Sequence, residues 1–260
     1  MDKLCTLTEH HCRNLLTGYG WPRDMEIAFR LSYSQGDGAA FYGHLTCEDL
    51  SRILEQQVSR GELRKAECRR LVRRIEASDT VLYLERNAFG HRYAHAGCIR
   101  YVWRDGDCAP DNDVAGEIES LIRSDVEALC RQMACDGYLL QEAMLPSSEP
   151  VVFQRNTANF VVRVEETEDV YCGDDDAEFR NELIALILDK GACYRPLAIS
   201  VVSTTSGNTM GTAWAGDALR LPGQPVRAWF DRHWLTEATE EARQTINALT
   251  QAFSTFVKTH

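Results

Sequence analysis

Three stretches of this 260-residue chain carry residue types whose spacing could do chemistry. The densest is Leu31-Ser32-Tyr33-Ser34-Gln35-Gly36-Asp37-Gly38-Ala39-Ala40-Phe41-Tyr42-Gly43. Gly36 and Gly38 accept positive φ without steric cost, so backbone N–H groups there could approach a ligand, and Asp37 could hold a cation or a hydroxyl. The weightier alternative is that Asp37 closes an Asx-type turn and the glycines fit its geometry. The string is not a dinucleotide fingerprint, because a third glycine and a following helix are missing, and it is neither a Walker loop nor a calcium loop.

The second stretch is His91 to Trp103, read as a strand. A period of two puts His91, Tyr93 and His95 on one face as acid–base candidates. The two histidines would stand about 13 Å apart at roughly 3.3 Å per residue, too far to share a metal. Structural histidines are the weightier reading. The third is Arg104 to Asp113, where Asp105/Asp107 and Asp111/Asp113 have D-x-D spacing. The calcium-loop offsets fail, and Asp111 to Asp113 sit where a helix N-cap belongs. His10, His11 and Cys12 are adjacent, but neighbours on an extended chain point apart, so no metal is expected there. None of the G-x-S-x-G, H-E-x-x-H or S-x-x-K patterns occurs. The reading is a protein without a cofactor, with an enzyme acting near the Gly36-Asp37-Gly38 turn, hydrolytic or metal-dependent, as the alternative.

These stretches need elements to position them. Met25 to Leu31 and Ala40 to Leu45 alternate around the turn Gln35–Gly38, which predicts a hairpin over about 25–45. Thr46 and Asp49 have capping-box spacing and open a helix whose apolar stripe runs to about Ala77, with a kink or break at Ser59-Arg60-Gly61. Strands follow at Val81–Arg86 and His91–Trp103, then a helix over about Val114–Met133. Leu145-Pro146-Ser147-Ser148-Glu149-Pro150 reads as a boundary. Beyond it the pattern predicts strands at about Val151–Arg155 and Asn159–Glu165, and a helix over Asp176–Lys190 with Gly191 as its C-cap. A hairpin over Pro196–Ala215 follows. A last helix starts at Thr236, its N-cap, with Ala238, Ala242, Ile246, Leu249, Phe253 and Phe256 in register. The fold class is α+β: antiparallel sheets with helices packed on one face, in two pseudo-equivalent ββαββα halves over residues 1–145 and 151–260.

The apolar fraction of 44% supports a real core. No run of about 18 apolar residues is present, so no membrane span is expected. Met1 to Thr6 lack an apolar leader region. With no C-x-x-C among ten cysteines, the expectation is reduced thiols in a bacterial host cytoplasm.

Net charge is −11, from 28 basic and 39 acidic residues. That field disfavours direct contact with a phosphate backbone and favours a basic protein partner. Two stretches concentrate the acids. One lies between residues 105 and 127, with Asp105, Asp107, Asp111 and Asp113. The other lies between 165 and 178, with Glu168, Asp169, Asp174, Asp175 and Asp176. The second reads as a solvated loop feeding a helix. Arg52 to Arg74 is the one strongly basic segment. Its residues Arg69, Arg70, Arg73 and Arg74 form either a docking face or a solvated face that balances the acids.

The string Ser32-x-Ser34-Gln35-Gly36-Asp37-Gly38-x-x-Phe41 resembles one in uncharacterised proteins of bacterial plasmids and phages, of the antirestriction and anti-defence (anti-CRISPR-like) kind. That resemblance covers about 20 residues and implies a mobile-element setting, with no catalytic role attached. Joined to the charge, it leads to an expected function: an acidic protein that binds a basic subunit of a host CRISPR effector or restriction enzyme and inhibits it by contact alone. A regulatory protein using the basic helix for nucleic acid is the third reading.

Overall fold

The computed structural model of the chain describes residues 3–78, 80–88, 92–104, 112–168, 176–216, 218–225, 228–229 and 231–259. The fold is α+β with antiparallel sheets. It divides into two compact units, Cys5–Tyr138 and Leu139–His260, the latter taking Met1–Leu4 with it.

The first unit runs α1 (Lys3–Gly18), β1 (Glu26–Arg30), β2 (Gly38–Leu45), α2 (Cys47–Ser59), α3 (Lys65–Glu76), β3 (Val81–Arg86), a 3-10 turn at Ala96–Cys98, β4 (Ile99–Arg104) and α4 (Asn112–Met144). Its sheet has the order β1-β2-β3-β4, every neighbour antiparallel. The alternation in β1 and β2 sets the register, with Phe41 opposite Ile27 and Leu45 opposite Leu82. Phe41 is wholly buried and meets Trp21 edge-on, with centroids 4.8 Å apart. Leu50, Ile53 and Leu54 of α2 and Leu71 and Ile75 of α3 fill the same core.

Local chemistry explains the element ends. Thr46 and Asp49 form the expected capping box at α2. The stripe from Leu50 to Ile75 is two helices rather than one. Gly61 takes φ 78° between them, a conformation a β-carbon would resist. Residues 3–18 form a helix, so His10, His11 and Cys12 do not lie on an extended chain. Cys12 is fully buried and His11 bonds to Asp136. The strand expected from His91 begins only at Ile99, because His95 caps the 3-10 turn: its Nδ1 accepts from Gly97 N–H at 3.1 Å. The helix expected to stop near Met133 continues to Met144.

The second unit runs β5 (Val151–Asn156), β6 (Phe160–Glu166), α5 (Ala177–Lys190), β7 (Cys193–Tyr194), β8 (Leu197–Ser203), β9 (Thr209–Ala215), β10 (Leu219–Arg220) and α6 (Arg232–Thr259). Its main sheet has the order β5-β6-β8-β9, again all antiparallel, and β7 pairs with β10. Asp176 caps α5 and Gly191 closes it at φ 63°. The last helix starts at Arg232, one turn before Thr236. The Thr236 hydroxyl therefore donates back to the Arg232 carbonyl instead of capping. Gly211 of β9 lets α6 approach closely, since a β-carbon there would stand 2.2 Å from the Ala238 carbonyl oxygen. The two units share one plan: two strands, a helical connection, two more strands paired in sequence order, and a closing helix.

Candidate functional site

The Ser32–Phe41 string folds as a latched turn. Asp37 Oδ2 accepts from Ser32 N (2.8 Å), Ser32 Oγ (2.8 Å), Ser34 N (2.7 Å) and Ser34 Oγ (3.2 Å). Asp37 N in turn donates to the Ser34 carbonyl at 3.1 Å. Gly36, at φ 88°, lies against the Tyr93 ring, which a β-carbon would meet at 2.2 Å. A β-carbon on Gly38 would stand 2.6 Å from the Ala94 carbonyl oxygen. Ala94 N donates to the Gly36 carbonyl, tying the two loops together. The fixed residues of the string other than the exposed Gln35 are thus engaged within the fold. The serines fill Asp37, the glycines admit residues 93–94, and Phe41 enters the core. Tyr33, between the two serines, is the one non-glycine described residue at positive φ (58°). It is 71% exposed and stacks on Tyr138, with centroids 4.4 Å apart.

The Ser34 N–H above all, with the Ser32 and Ser34 donors adding to it, holds the Asp37 carboxyl below the usual carboxylate range. A depressed native pKa stabilises the fold fully above the unfolded-state pKa, and that contribution is lost as pH falls through the native value. The Ser32 and Ser34 amide resonances are therefore expected to shift together on acidification, below the range of an ordinary aspartate. Asp37→Asn is expected to abolish the step. A titration of those amides in the ordinary range would contradict the latch.

The same turn lines a cavity of about 240 Å³ in the first unit. Its walls include Asp37 and Gly38 from the hairpin, His95 from the loop before β4, and Glu127, Cys130 and Arg131 from α4. Asp37 and His95 thus share a cavity, whereas His91 lies outside the described residues and Tyr93 packs on Gly36. The α4 contributors were not singled out from the sequence, although positions 127, 130 and 131 share one helix face. The groups are constrained. With Nδ1 of His95 accepting from Gly97, the neutral ring carries its proton on Nε2, which faces Cys98 Sγ at 3.4 Å. Burial first, then the neighbouring Cys12, pushes the Cys130 thiol up to about 12, so it is a protonated thiol and not a nucleophile at neutral pH. The cavity offers two carboxylates and a guanidinium to a small polar ligand. Among the described residues no group of three or more His, Cys, Asp or Glu could hold a metal ion.

The proposed partner-binding residues separate. Asp105, Asp107, Asp111, Asp169, Asp174 and Asp175 lie outside the described residues. Asp113 stands exposed in the first turn of α4, where the helix dipole favours an acid. Asp176 caps α5, its Oδ1 accepting from Phe179 N at 2.8 Å. Arg69, Arg70, Arg73 and Arg74 are exposed on α3. Arg70 pairs with Glu117 of α4, and Arg60, at the end of α2, pairs with buried Asp125, which also accepts from Trp21 Nε1. Glu119 pairs with Arg123. Of the acids between 105 and 127, Glu117, Glu119 and Asp125 are thus paired within the first unit, while Asp113 stays exposed. The 165–178 stretch differs from a solvated loop at its start. Glu165 and Glu166 belong to β6, and Glu166 is buried against Arg195. Glu168 is exposed.

Among the described residues no helix is long and apolar enough to cross a membrane. No solved structure matches the chain. Residues 150–257 match the family model described as the C-terminal domain of YubG, to which the second unit is therefore similar. Residues 8–143, just over half of the chain, match the model described as domain of unknown function DUF8835. The chain belongs to the DUF8835 family.

Proposed function

We propose that the protein acts by binding a positively charged protein through the acidic stretch 165–178 and the first turns of α5. The partner in this reading is a basic subunit of a nucleic-acid-directed defence complex, inhibited by contact without covalent chemistry. The observation that carries it is Phe179, 38% exposed between Glu178 and Glu182, which are also exposed. Two like charges four apart disfavour an isolated helix by a few tenths of a kcal/mol. An arginine stacked on the Phe179 ring and paired with those carboxylates would relieve that repulsion. An aromatic anchor with a charged rim is also the composition of an interface hot spot, and the acidic residues just before α5 would steer a basic partner toward it. The resemblance of the Ser32–Phe41 string supplies the setting, a mobile element facing host defences. It supplies no contact, since the string is occupied in holding its own turn.

A second reading attaches to the cavity at Asp37 and His95, as a site for a small polar ligand. One experiment separates the two. Phage plating efficiency is measured on a restricting or CRISPR-armed host that expresses the chain. Inhibition is expected to raise plating by at least about ten-fold. Phe179→Ala with Glu178→Gln and Glu182→Gln is expected to abolish the rise, and Glu127→Ala with Arg131→Ala to leave it intact. No rise with the unaltered chain, or the reverse pattern between the two variants, would overturn the acidic-face reading.

A further inference from the structure

The helices that close the two units carry one stripe in two different surroundings. Counted from the first residue of each helix, Ile118, Ile122, Val126, Leu129 and Met133 of α4 occupy the places of Ala238, Ala242, Ile246, Leu249 and Phe253 of α6. All five in α4 are at most 1% exposed. In α6 the first two are buried against the sheet and Ile246 is half-buried, but Leu249 is 57% and Phe253 70% exposed. The stripe thus continues for two turns beyond the part that the sheet covers.

In the first unit another helix packs along the later part of α4. His11 of α1 bonds to Asp136 at 2.7 Å, and Cys12 and Leu16 share one core with Leu129, Cys130 and Met133. The Leu139–His260 unit has the end of α4, Leu139–Met144, ahead of its first strand and takes Met1–Leu4 with it, and Leu249 and Phe253 stay exposed. Leu249 and Phe253 thus stand exposed, where Leu129 and Met133 share a core with Cys12 and Leu16 of α1.

Charge selects the occupant. The chain is strongly acidic, yet no charged residue occurs from Gln244 to Val257. Two copies can therefore approach each other there without like-charge repulsion. Gln244, Asn247 and Gln251 flank the stripe, and each can both donate and accept, so the surface matches itself. A basic partner finds no carboxylate on this run. We infer that α6 pairs antiparallel with α6 of a second copy about a two-fold axis, with Leu249 and Phe253 of each seated against the other. At 1.5 Å per residue the run is about 21 Å long, a small interface, which points to a reversible dimer rather than a permanent one.

The test is sedimentation velocity of the full chain from about 1 to 100 μM, for the unaltered protein and for Leu249→Gln with Phe253→Gln. Both positions face solvent, so circular dichroism is expected to be unchanged, and the neutral replacements add no repulsion. The unaltered chain is expected to show a concentration-dependent monomer–dimer equilibrium that high salt does not weaken. The double variant is expected to associate at least about ten-fold more weakly. An unaltered chain that stays monomeric across the range would overturn the inference. So would a dimer that the substitutions leave intact, and one dissolved by salt. Backbone amide exchange over residues 244–255 gives a second readout, with slower exchange at high protein concentration expected only for the unaltered chain.

Discussion

Replacing Arg195 with alanine is expected to destabilise the Leu139–His260 unit by about 3–5 kcal/mol, the range for stripping one partner from a buried ion pair. Arg195 Nη1 reaches both carboxylate oxygens of Glu166 at 2.9 Å, and Glu166 is only 7% exposed. The carboxylate also accepts from Ser147 N at 2.7 Å, and Arg195 Nη2 donates to the Glu142 carbonyl at 2.7 Å. Alanine would leave a buried carboxylate with the Ser147 amide as its remaining donor in this group, and would free a carbonyl at the end of α4. Replacing both members with apolar residues of similar size, Glu166→Leu with Arg195→Met, removes the stranded charge and is expected to recover most of the loss. Urea unfolding monitored at the tryptophans measures both variants. A loss below about 1 kcal/mol for Arg195→Ala would mean that water replaces the guanidinium.

Phe41→Ala is expected to cost about 3–5 kcal/mol, the range for emptying an aromatic site in a packed core. Phe41 is fully buried, and its edge-on contact with Trp21 is lost with it. Trp21 anchors further structure, because its Nε1 donates to Asp125, the carboxylate that pairs with Arg60. The loss should therefore appear both in urea unfolding and as a change in Trp21 fluorescence. An effect below about 1.5 kcal/mol would mean that the site collapses around the smaller side chain. The comparison also bears on the Ser32–Phe41 string, whose last residue is fully buried.

What could be read from residues alone follows the range of the forces involved. Capping and turn signals act over three or four positions. Thr46 with Asp49, Asp176, Gly191 and the Gln35–Gly38 turn all stand where local chemistry puts them. Strand alternation located the hairpins and hence the α+β class. The readings that failed depended on distant partners. Residues 1–22 look polar because His11 and Cys12 find Asp136 and Cys130 only across the fold. His95 alternates with Tyr93 as in a strand, yet its ring caps a 3-10 turn and Tyr93 packs beneath Gly36. Charge counting over 105–127 gave the number of acids and not their partners. It had no means of knowing that Arg60 and Arg70 reach Asp125 and Glu117, 65 and 47 positions away. In α6 the apolar spacing is correct, but periodicity reports which side chains share a face and not whether anything covers that face.

The Arg195 bond to Glu142 has a practical consequence for dissecting the chain. The DUF8835 match ends at 143, and the match to the C-terminal domain of YubG begins at 150. The carbonyl that finishes the first is held by a side chain of the second, while Ser147, which neither match includes, supplies a donor to Glu166. A fragment trimmed to either family limit would lose a hydrogen bond that its other half provides. The six residues in the gap belong with the second fragment when the two are expressed apart, because Ser147 among them donates to Glu166.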